Sequence, residues 1–459
     1  MRWPATVTAE DASRLTAALI TRHANHVPGL LTADRYYEGR PGLSYLDPQL
    51  VRLLSGRIRQ VVVNWPRLVV DSHAERLQLK GFRLPNQSGT DLALNELWQA
   101  NDLDEQQHDL HTEALVYGRA YAIVGAAAEA ADVPLVTVES PLEVHTVHDP
   151  RTRQVAAAVK AWKDGAEEFA TLYLTAETWL MRRASRGWVA DTVDRHGLGQ
   201  VPVVPFANRS RPRNPYGVSE LADVIPLADA VNKIATDMMV SGEFHAMPRR
   251  VAYGFAEEDF VGPDGTPLNR WAREAHALWA TRKSPGDARV EQLPEADLSN
   301  FHNTINQLAR LVASLCGLPP HYLGFSTDVP ASADAIRSSE ARLVRRAEAR
   351  QNRFGGSWER VMRLGRRIAT GRTDPGLRHL EALWFDAGTP TVAQRADASV
   401  KLYADGRGPV TLRQTREDLG YSEATIHRME ADDHQAARLD GLRLGLAPTH
   451  DIAPGGDAA

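Results

Sequence analysis

Apolar residues recur at steps of three and four through Leu298, Phe301, Ile305, Leu308, Val312 and Leu315. That spacing predicts a helix packed along a parallel or antiparallel neighbour. Gly317 and Pro319-Pro320 end it. A second row, Leu221, Val224, Ala228, Val231, Ala235, Met238 and Met239, predicts a helix after Tyr216-Gly217, with Pro226 kinking it or delaying its start. A third, Ile336, Leu343, Ala347, Phe354, Trp358, Val361 and Ile368, predicts a long helix from about Ala333 to Thr370.

The first two hundred residues read as mixed α and β. Asp47-Pro48 predicts a helix from Pro48 to about Asn64, ended by Trp65-Pro66. Leu68 to Val70 and Leu77 to Leu84 have the pattern of strands. Asp91 predicts a further helix running through Leu94, Leu97, Trp98, Leu103, Leu110, Leu115 and Val116, which Gly118 interrupts before the apolar Tyr121 to Val124. From Pro134 to Phe206 short apolar runs alternate with Asp149-Pro150, Asp164-Gly165 and Arg186-Gly187, which predicts an antiparallel meander. After Met247-Pro248 a strand at Arg249 to Tyr253, the turn Gly262-Pro-Asp-Gly265 and a short helix around Trp271 and Trp279 suggest a small separate lobe. The Gly-, Ala- and Pro-rich tail from about Asp451 reads as disordered.

Composition narrows the class. With 459 residues, 43% hydrophobic and 24% charged, the chain is expected to fold into two to four soluble units. Its apolar runs are too short to span a bilayer, and Met1 to Ile20 carries charges where a signal peptide needs an unbroken apolar core. Cys316 is the only cysteine, which excludes an internal disulfide framework. The net charge of −5 argues against a protein that coats DNA through a bulk positive field. The signs are segregated, however. Glu220, Asp223, Asp229, Asp237 and Glu243 face Lys233 alone on one predicted helix, whereas Arg342, Arg346, Arg350 and Arg353 form a row on another.

Catalytic patterns are weak. Glu105, His108 and His111 have the Glu-x-x-His spacing of a di-metal carboxylate site, but no second copy and no His-Glu-x-x-His accompany them, so a wet helix face is the expected reading. Ser219 lies in no nucleophile elbow, Cys316 sits where a buried thiol is ordinary, and no glycine-rich phosphate loop is present. No metal, cofactor or enzymatic activity is expected. Leu412 to Ile426 resembles a helix-turn-helix, and a sequence-specific DNA-binding protein is the alternative function. Arg416 stands where that motif needs a small residue, and Glu423 and Glu430 oppose phosphate, which favours a plain helix pair.

A series of strings carries a stronger signal through its order along the chain. They are Tyr36-Tyr37-Glu38-Gly39, Arg76-Leu77-x-Leu79-x-Gly81-Phe82, Asn101-Asp-Leu-Asp104, Tyr117-Gly118-Arg119-Ala120-Tyr121, Pro205-Phe-Ala-Asn-Arg209 to Gly217-x-Ser219-Glu220, Gly317-Leu-Pro-Pro-His-Tyr-Leu-Gly324 and Ser332-Ala-Asp-Ala-Ile-Arg337. Over some 400 residues the chain resembles the portal proteins of long-tailed phages, in the branch common among actinobacterial phages. The resemblance implies an α+β portal-type fold: a mixed α/β wing (1–216), a descending stem helix (217–246), a small α/β clip (247–296), an ascending stem helix (297–317), a tunnel loop (318–333), a long wing-bridging helix with a return strand (334–388), a helical crown (389–445) and a disordered tail (446–459).

It further implies a ring, a dodecamer in the virion, at a single capsid vertex and assembled in the host cytoplasm. Double-stranded DNA would pass through during packaging by the terminase large subunit and during ejection. Major capsid and scaffold proteins, and later head-completion or adaptor and tail proteins, would be partners; a membrane would not. A bore that lets DNA slide should repel phosphate. Glu220, Asp223, Asp229, Lys233, Asp237 and Glu243 are therefore the channel-lining candidates, and Ser326, Thr327, Asp328 and Ser332 the tunnel-loop candidates. Arg342, Arg346, Arg350 and Arg353 are candidates for DNA or intersubunit contact, and Arg249, Arg250, Trp271 and Trp279 for clip partners.

Overall fold

The computed structural model describes residues 3–42, 60–85, 87, 89–126, 133–245, 250–253, 289–292, 298–324, 333–388, 392–421 and 423–445. Two helices, α1 (Ala9–Ala24) and α2 (Val27–Tyr37), open the chain. Helix α3 (Trp65–Ala74) follows because the Asn64 side chain accepts the Arg67 N–H and Pro66 occupies the first turn. Trp65-Pro66 therefore starts a helix instead of ending one, and Leu68 to Val70 are helical, not a strand. Of the helix expected over Pro48 to Asn64, residues 60–64 are non-helical and the rest lies outside the described residues.

Asp91 caps α4 (Leu92–Gln99) through the Leu94 N–H. The single helix expected from Asp91 is two, because Asp102 takes a left-handed φ of 50° and restarts the chain as α5 (Leu103–Tyr117). Gly118, also left-handed, closes α5 and feeds β2 (Arg119–Gly125).

Strands β4 (Val144–His148), β5 (Val155–Asp164), β6 (Glu167–Tyr173), β7 (Thr178–Ala184) and β8 (Gly187–Asp194) form the expected meander, in sequential antiparallel order. The run around Val136 does not join it. As β3 (Leu135–Glu139) it pairs with β2, whose other edge takes β9 (Val203–Ala207). Helix α1 lies on the meander, burying Ala12 and Leu19 against Leu172, Trp179 and Met181.

After β9 a short 3-10 turn (Glu220–Asp223) precedes α6 (Ile225–His245), so Pro226 delays the helix instead of kinking it. Strands β10 (Arg250–Tyr253) and β11 (Arg289–Gln292) pair antiparallel. Helix α7 (Ser299–Cys316) packs on α6, with Ile305, Leu308, Ala309, Val312 and Cys316 meeting Val224, Leu227 and Val231. The alternating three-four row thus lies at a helix–helix seam, although Leu315 at its end is exposed.

Helix α8 (Ala333–Thr370) threads the main core. Its Phe354 and Trp358 are fully buried, and Trp358 meets Phe206 and Trp98 edge-on at 4.9 Å between ring centroids. Strand β12 (Glu381–Trp384) returns to pair with β1 (Leu79–Arg83). Helices α9 (Val392–Tyr403), α10 (Leu412–Asp418) and α11 (Glu423–Gly445) complete the described chain. The architecture is α+β.

Candidate functional site

The sheet of β2, β3 and β9 hands over to α6 at a crossing that two glycines permit. Gly217 adopts φ +78°, and a Cβ built there would lie 2.3 Å from the carbonyl oxygens of both Asn208 and Gly118. Gly118 adopts φ +84°, and its Cβ would lie 2.8 Å from the Val218 and Ser219 backbone. The crossing is stitched by Asn208 N–H to Gly118 O at 2.9 Å and Val218 N–H to Asn208 O at 2.9 Å. The Ser219 hydroxyl donates to Val116 O and accepts the Leu221 N–H, capping the 3-10 turn.

Glu220 follows, only 2% exposed. Its carboxylate receives the Arg350 guanidinium and, at 2.8 Å, the Asn208 side-chain amide, with Arg209 at 4.0 Å. Burial alone would raise this carboxyl, but Arg350, with His73 and Asn208 assisting, overrides it and holds it at about 2. His73 is pushed down as well, to about 4, by burial and then by Arg350. Glu220 is thus not the exposed acid that the sequence reading expected: it is a buried counter-charge that ties the 3-10 turn before α6 to α8. Arg350 is corrected with it, being 6% exposed and committed to Glu220.

The other arginines of the row also make bonds within the chain. Arg342 donates to Ser314 O at 2.8 Å and Arg346 to Leu315 O at 2.7 Å. These are last-turn carbonyls of α7, where the helix dipole favours a cation. Arg353 donates to Ser210 O at 2.9 Å.

Along α6 the acids differ in their surroundings. Asp223 is half-exposed and pairs with Arg209 at 2.8 Å. Asp229 accepts the Tyr36 hydroxyl, which fastens α6 to α2. Lys233 and Asp237 pair one turn apart, each about one-third exposed. The side chains of Glu243 and Arg250 lie outside the described residues, as do Arg249, Trp271, Trp279, Ser326, Thr327, Asp328 and Ser332. Sequence reasoning missed Asn208, Arg209 and His73. The first two stood in a quoted motif, Pro205 to Arg209, but nothing local marks them as ligands of Glu220.

His111 corrects another expectation. Glu105 and His108 are exposed, but His111 is fully buried, stacked on Phe354 at 5.3 Å. Its Nδ1 lies 2.9 Å from Leu77 O and its Nε2 accepts the Trp358 indole N–H at 3.0 Å, so both nitrogens are engaged. No group of three or more His, Cys, Asp or Glu side chains suited to a metal occurs among the described residues. No described helix is long and apolar enough to cross a membrane. In the segment resembling a helix-turn-helix, Arg413 pairs with Glu417 and Glu430, and Arg416 with Asp433. Arginines that a DNA-reading helix would offer to phosphate are engaged internally.

Comparison with known proteins places this arrangement in a family. The family described as "Phage portal protein, SPP1 Gp6-like" matches residues 17–384. A portal protein of Mycobacterium phage D29 is 37% identical over 405 residues, covering 86% of this chain and 83% of the relative. A portal protein of Mycobacterium phage L5 is 36% identical over 458 residues, covering 97% and 93%. Among solved structures, a chain from the neck of a native GTA particle computed with C12 symmetry aligns at a TM-score of 0.47 and 15% identity, covering 82% of this chain and 94% of that one. The match over residues 17–384, with identity above one-third to two portal proteins, shows that the chain belongs to the SPP1 Gp6-like family of phage portal proteins.

Proposed function

We propose that this portal protein closes into a twelvefold ring at one capsid vertex, through which double-stranded DNA is driven in by a terminase motor and later leaves. The observation that carries the reading is the match to a portal relative across 97% of the chain. In this reading residues 1–216 form the wing, the 3-10 turn and α6 the descending stem helix, and residues 247–296 the clip. Helix α7 ascends, 318–333 form the tunnel loop, α8 bridges back to the wing with β12 returning, and 389–445 form the crown. Terminase and adaptor proteins would meet the clip in turn, through Arg249, Arg250, Trp271 and Trp279. Capsid and scaffold proteins would meet the wing.

The bore is assigned to Asp223, Lys233, Asp237 and Glu243, with Ser326, Thr327, Asp328 and Ser332 at its constriction. Partly exposed acids such as Asp223 and Asp237, with one lysine among them, would repel phosphate and leave DNA free to slide. Glu220 and Arg350 are excluded from the bore and act as an internal brace between stem and wing. Arg342 and Arg346 fasten α7 to α8 and, being partly solvent-accessible, remain candidates for a neighbouring subunit, as does Arg353.

Mass photometry with negative-stain imaging tests the reading. A ring with a central hole and a mass near twelve times 50.6 kDa is expected. A compact monomer or dimer that persists at high concentration would overturn it.

A further inference from the structure

Where α1 turns into α2, four histidines gather around one arginine. His23 lies in the last turn of α1, His26 in the connection, and His145 and His148 on β4. The rings of His26, His145 and His148 close on Tyr216, the residue before Gly217, and His23 meets His145. His145 stacks on Tyr216 at 5.6 Å between centroids and on His26 at 5.2 Å, and His148 meets Tyr216 edge-on at 5.6 Å. The Arg119 guanidinium lies 4.9 Å from the Tyr216 ring centroid. Arg119 is 5% exposed, and its Nε and one terminal nitrogen have no hydrogen-bond partner. Nδ1 of His145 and of His148 also lack one. The contact is held by the Tyr216 hydroxyl donating to Thr146 O at 3.0 Å and by His23 Nε2 lying 2.9 Å from Pro141 O.

The titratable and charged groups meeting here come from five elements: Arg22 and His23 of α1, His26 of the connection, Arg119 and Tyr121 of β2, His145 and His148 of β4, and Arg360 of α8. Tyr216 completes the set from the loop before the stem. Apart from the imidazoles themselves, the charged groups acting on them are the arginines Arg22, Arg119 and Arg360. Burial lowers all four imidazoles first and Arg119 adds to it, with Arg22 acting on His145 and Arg360 on His148; the Pro141 carbonyl works the other way on His23, and His145 is pushed down to about 3. Any proton added to this cluster joins Arg119 without a counter-charge.

We propose that this cluster is an acid-sensitive latch, in which protonation of the imidazoles releases the α1–α2 connection and Tyr216 from β4. The latch joins three parts of the molecule. Helix α1 lies on the meander, α2 packs toward the main core, and Tyr216 leads directly into the crossing at Gly217. Opening it loosens the tie between the meander and the base of the stem. The closed state excludes protons that the open state accepts, so opening grows as pH falls below the ordinary imidazole range. The growth reaches about tenfold per pH unit for each imidazole that gains a proton on opening.

Hydrogen exchange read by mass spectrometry on the full-length chain tests this, with rates corrected for intrinsic exchange, from about pH 7.5 to about pH 5. Peptides covering 20–30 and 210–218 are expected to lose protection together, by more than ~10-fold, while peptides around Trp358 keep theirs. His145→Gln and Arg119→Met should each flatten the response. Should either fail to fold, His26→Gln, on a ring only partly buried, should weaken it in a folded chain. Protection at the cluster that does not depend on pH, an unchanged pH slope in His26→Gln and His145→Gln, or loss of protection spread evenly over the molecule would each overturn the proposal.

Discussion

Glu220 and Arg350 stand 130 residues apart in the chain and form a buried ion pair, 2% and 6% exposed. One lies in the 3-10 turn before α6 and the other midway along α8, so the pair ties the start of α6 to α8. Breaking such a pair strands a charge in a medium that cannot solvate it. Glu220→Gln is expected to lower unfolding free energy by about 3–5 kcal/mol. In denaturant melts, adding Arg350→Met should restore part of that loss. Strict additivity of the two substitutions would show that the pair does not couple.

The crossing at Gly217 gives a sharper steric expectation. Gly217→Ala imposes about 1–2 kcal/mol for a left-handed Cβ and adds a collision with two carbonyl oxygens at 2.3 Å. A loss of at least ~3 kcal/mol, or failure to fold, should follow. Gly242 on α6 is the control, since a Cβ there meets nothing within 4 Å. Gly242→Ala should stabilise by about 0.5–1 kcal/mol through helix propensity. Equal effects at the two sites in thermal melts would refute the steric account.

His111 predicts a pH dependence separate from the latch. Its folded value, about 3, lies below the ordinary 6.5, so the unfolded chain binds a proton that the native chain refuses. The stability involved is fully present above pH 6.5 and declines as pH falls toward 3, by about 1.4 kcal/mol per unit. His111→Phe removes that titration but leaves the Trp358 indole N–H and Leu77 O unpaired. The variant should be less stable at neutral pH and show a shallower acid slope in denaturant melts taken across the range. An acid slope identical to that of the unmodified chain would remove His111 from the account.

What could be read from the residues in advance follows the range of the forces involved. The α7 row, the hairpin turns of the meander and the left-handed Gly317 are local, and they form as the spacing implies. Trp65-Pro66 misleads because proline ends one helix and starts the next equally well, and only the Asn64 cap decides which. The run at Val136 has the same appearance as its meander neighbours, yet Val136 pairs with Val124 of β2. Counting charges along one helix marked Glu220 as an acid on a face. It could not show that Arg350 would arrive from another helix, nor that Phe354 and Trp358 would enclose His111.

The arginine row of α8 gives an expectation at the seam between α7 and α8. Arg342 and Arg346 donate to the Ser314 and Leu315 carbonyls, at the negative end of α7. Replacing both with Ala should cost about 1–2 kcal/mol and loosen the last turn of α7, visible as faster exchange at residues 312–316. Unchanged exchange there, with stability intact, would return the two arginines to the list of outward-facing contacts.

The final prediction bears on the bore. If Asp223 and Asp237 face passing DNA, each Asp→Lys substitution replaces a repelled phosphate with an attracted one, repeated around the ring. Purified rings of the double variant should bind linear duplex more tightly at low salt. Their affinity should fall with a log–log slope steeper by about 0.9 for each phosphate newly neutralised. Stability should change little, because Asp237 has only a one-turn, partly exposed partner in Lys233 and Asp223 is half-exposed beside Arg209. Binding and salt slope indistinguishable from the unmodified ring would place both acids away from the bore. The DNA path would then have to be sought along α7 or the tunnel loop instead.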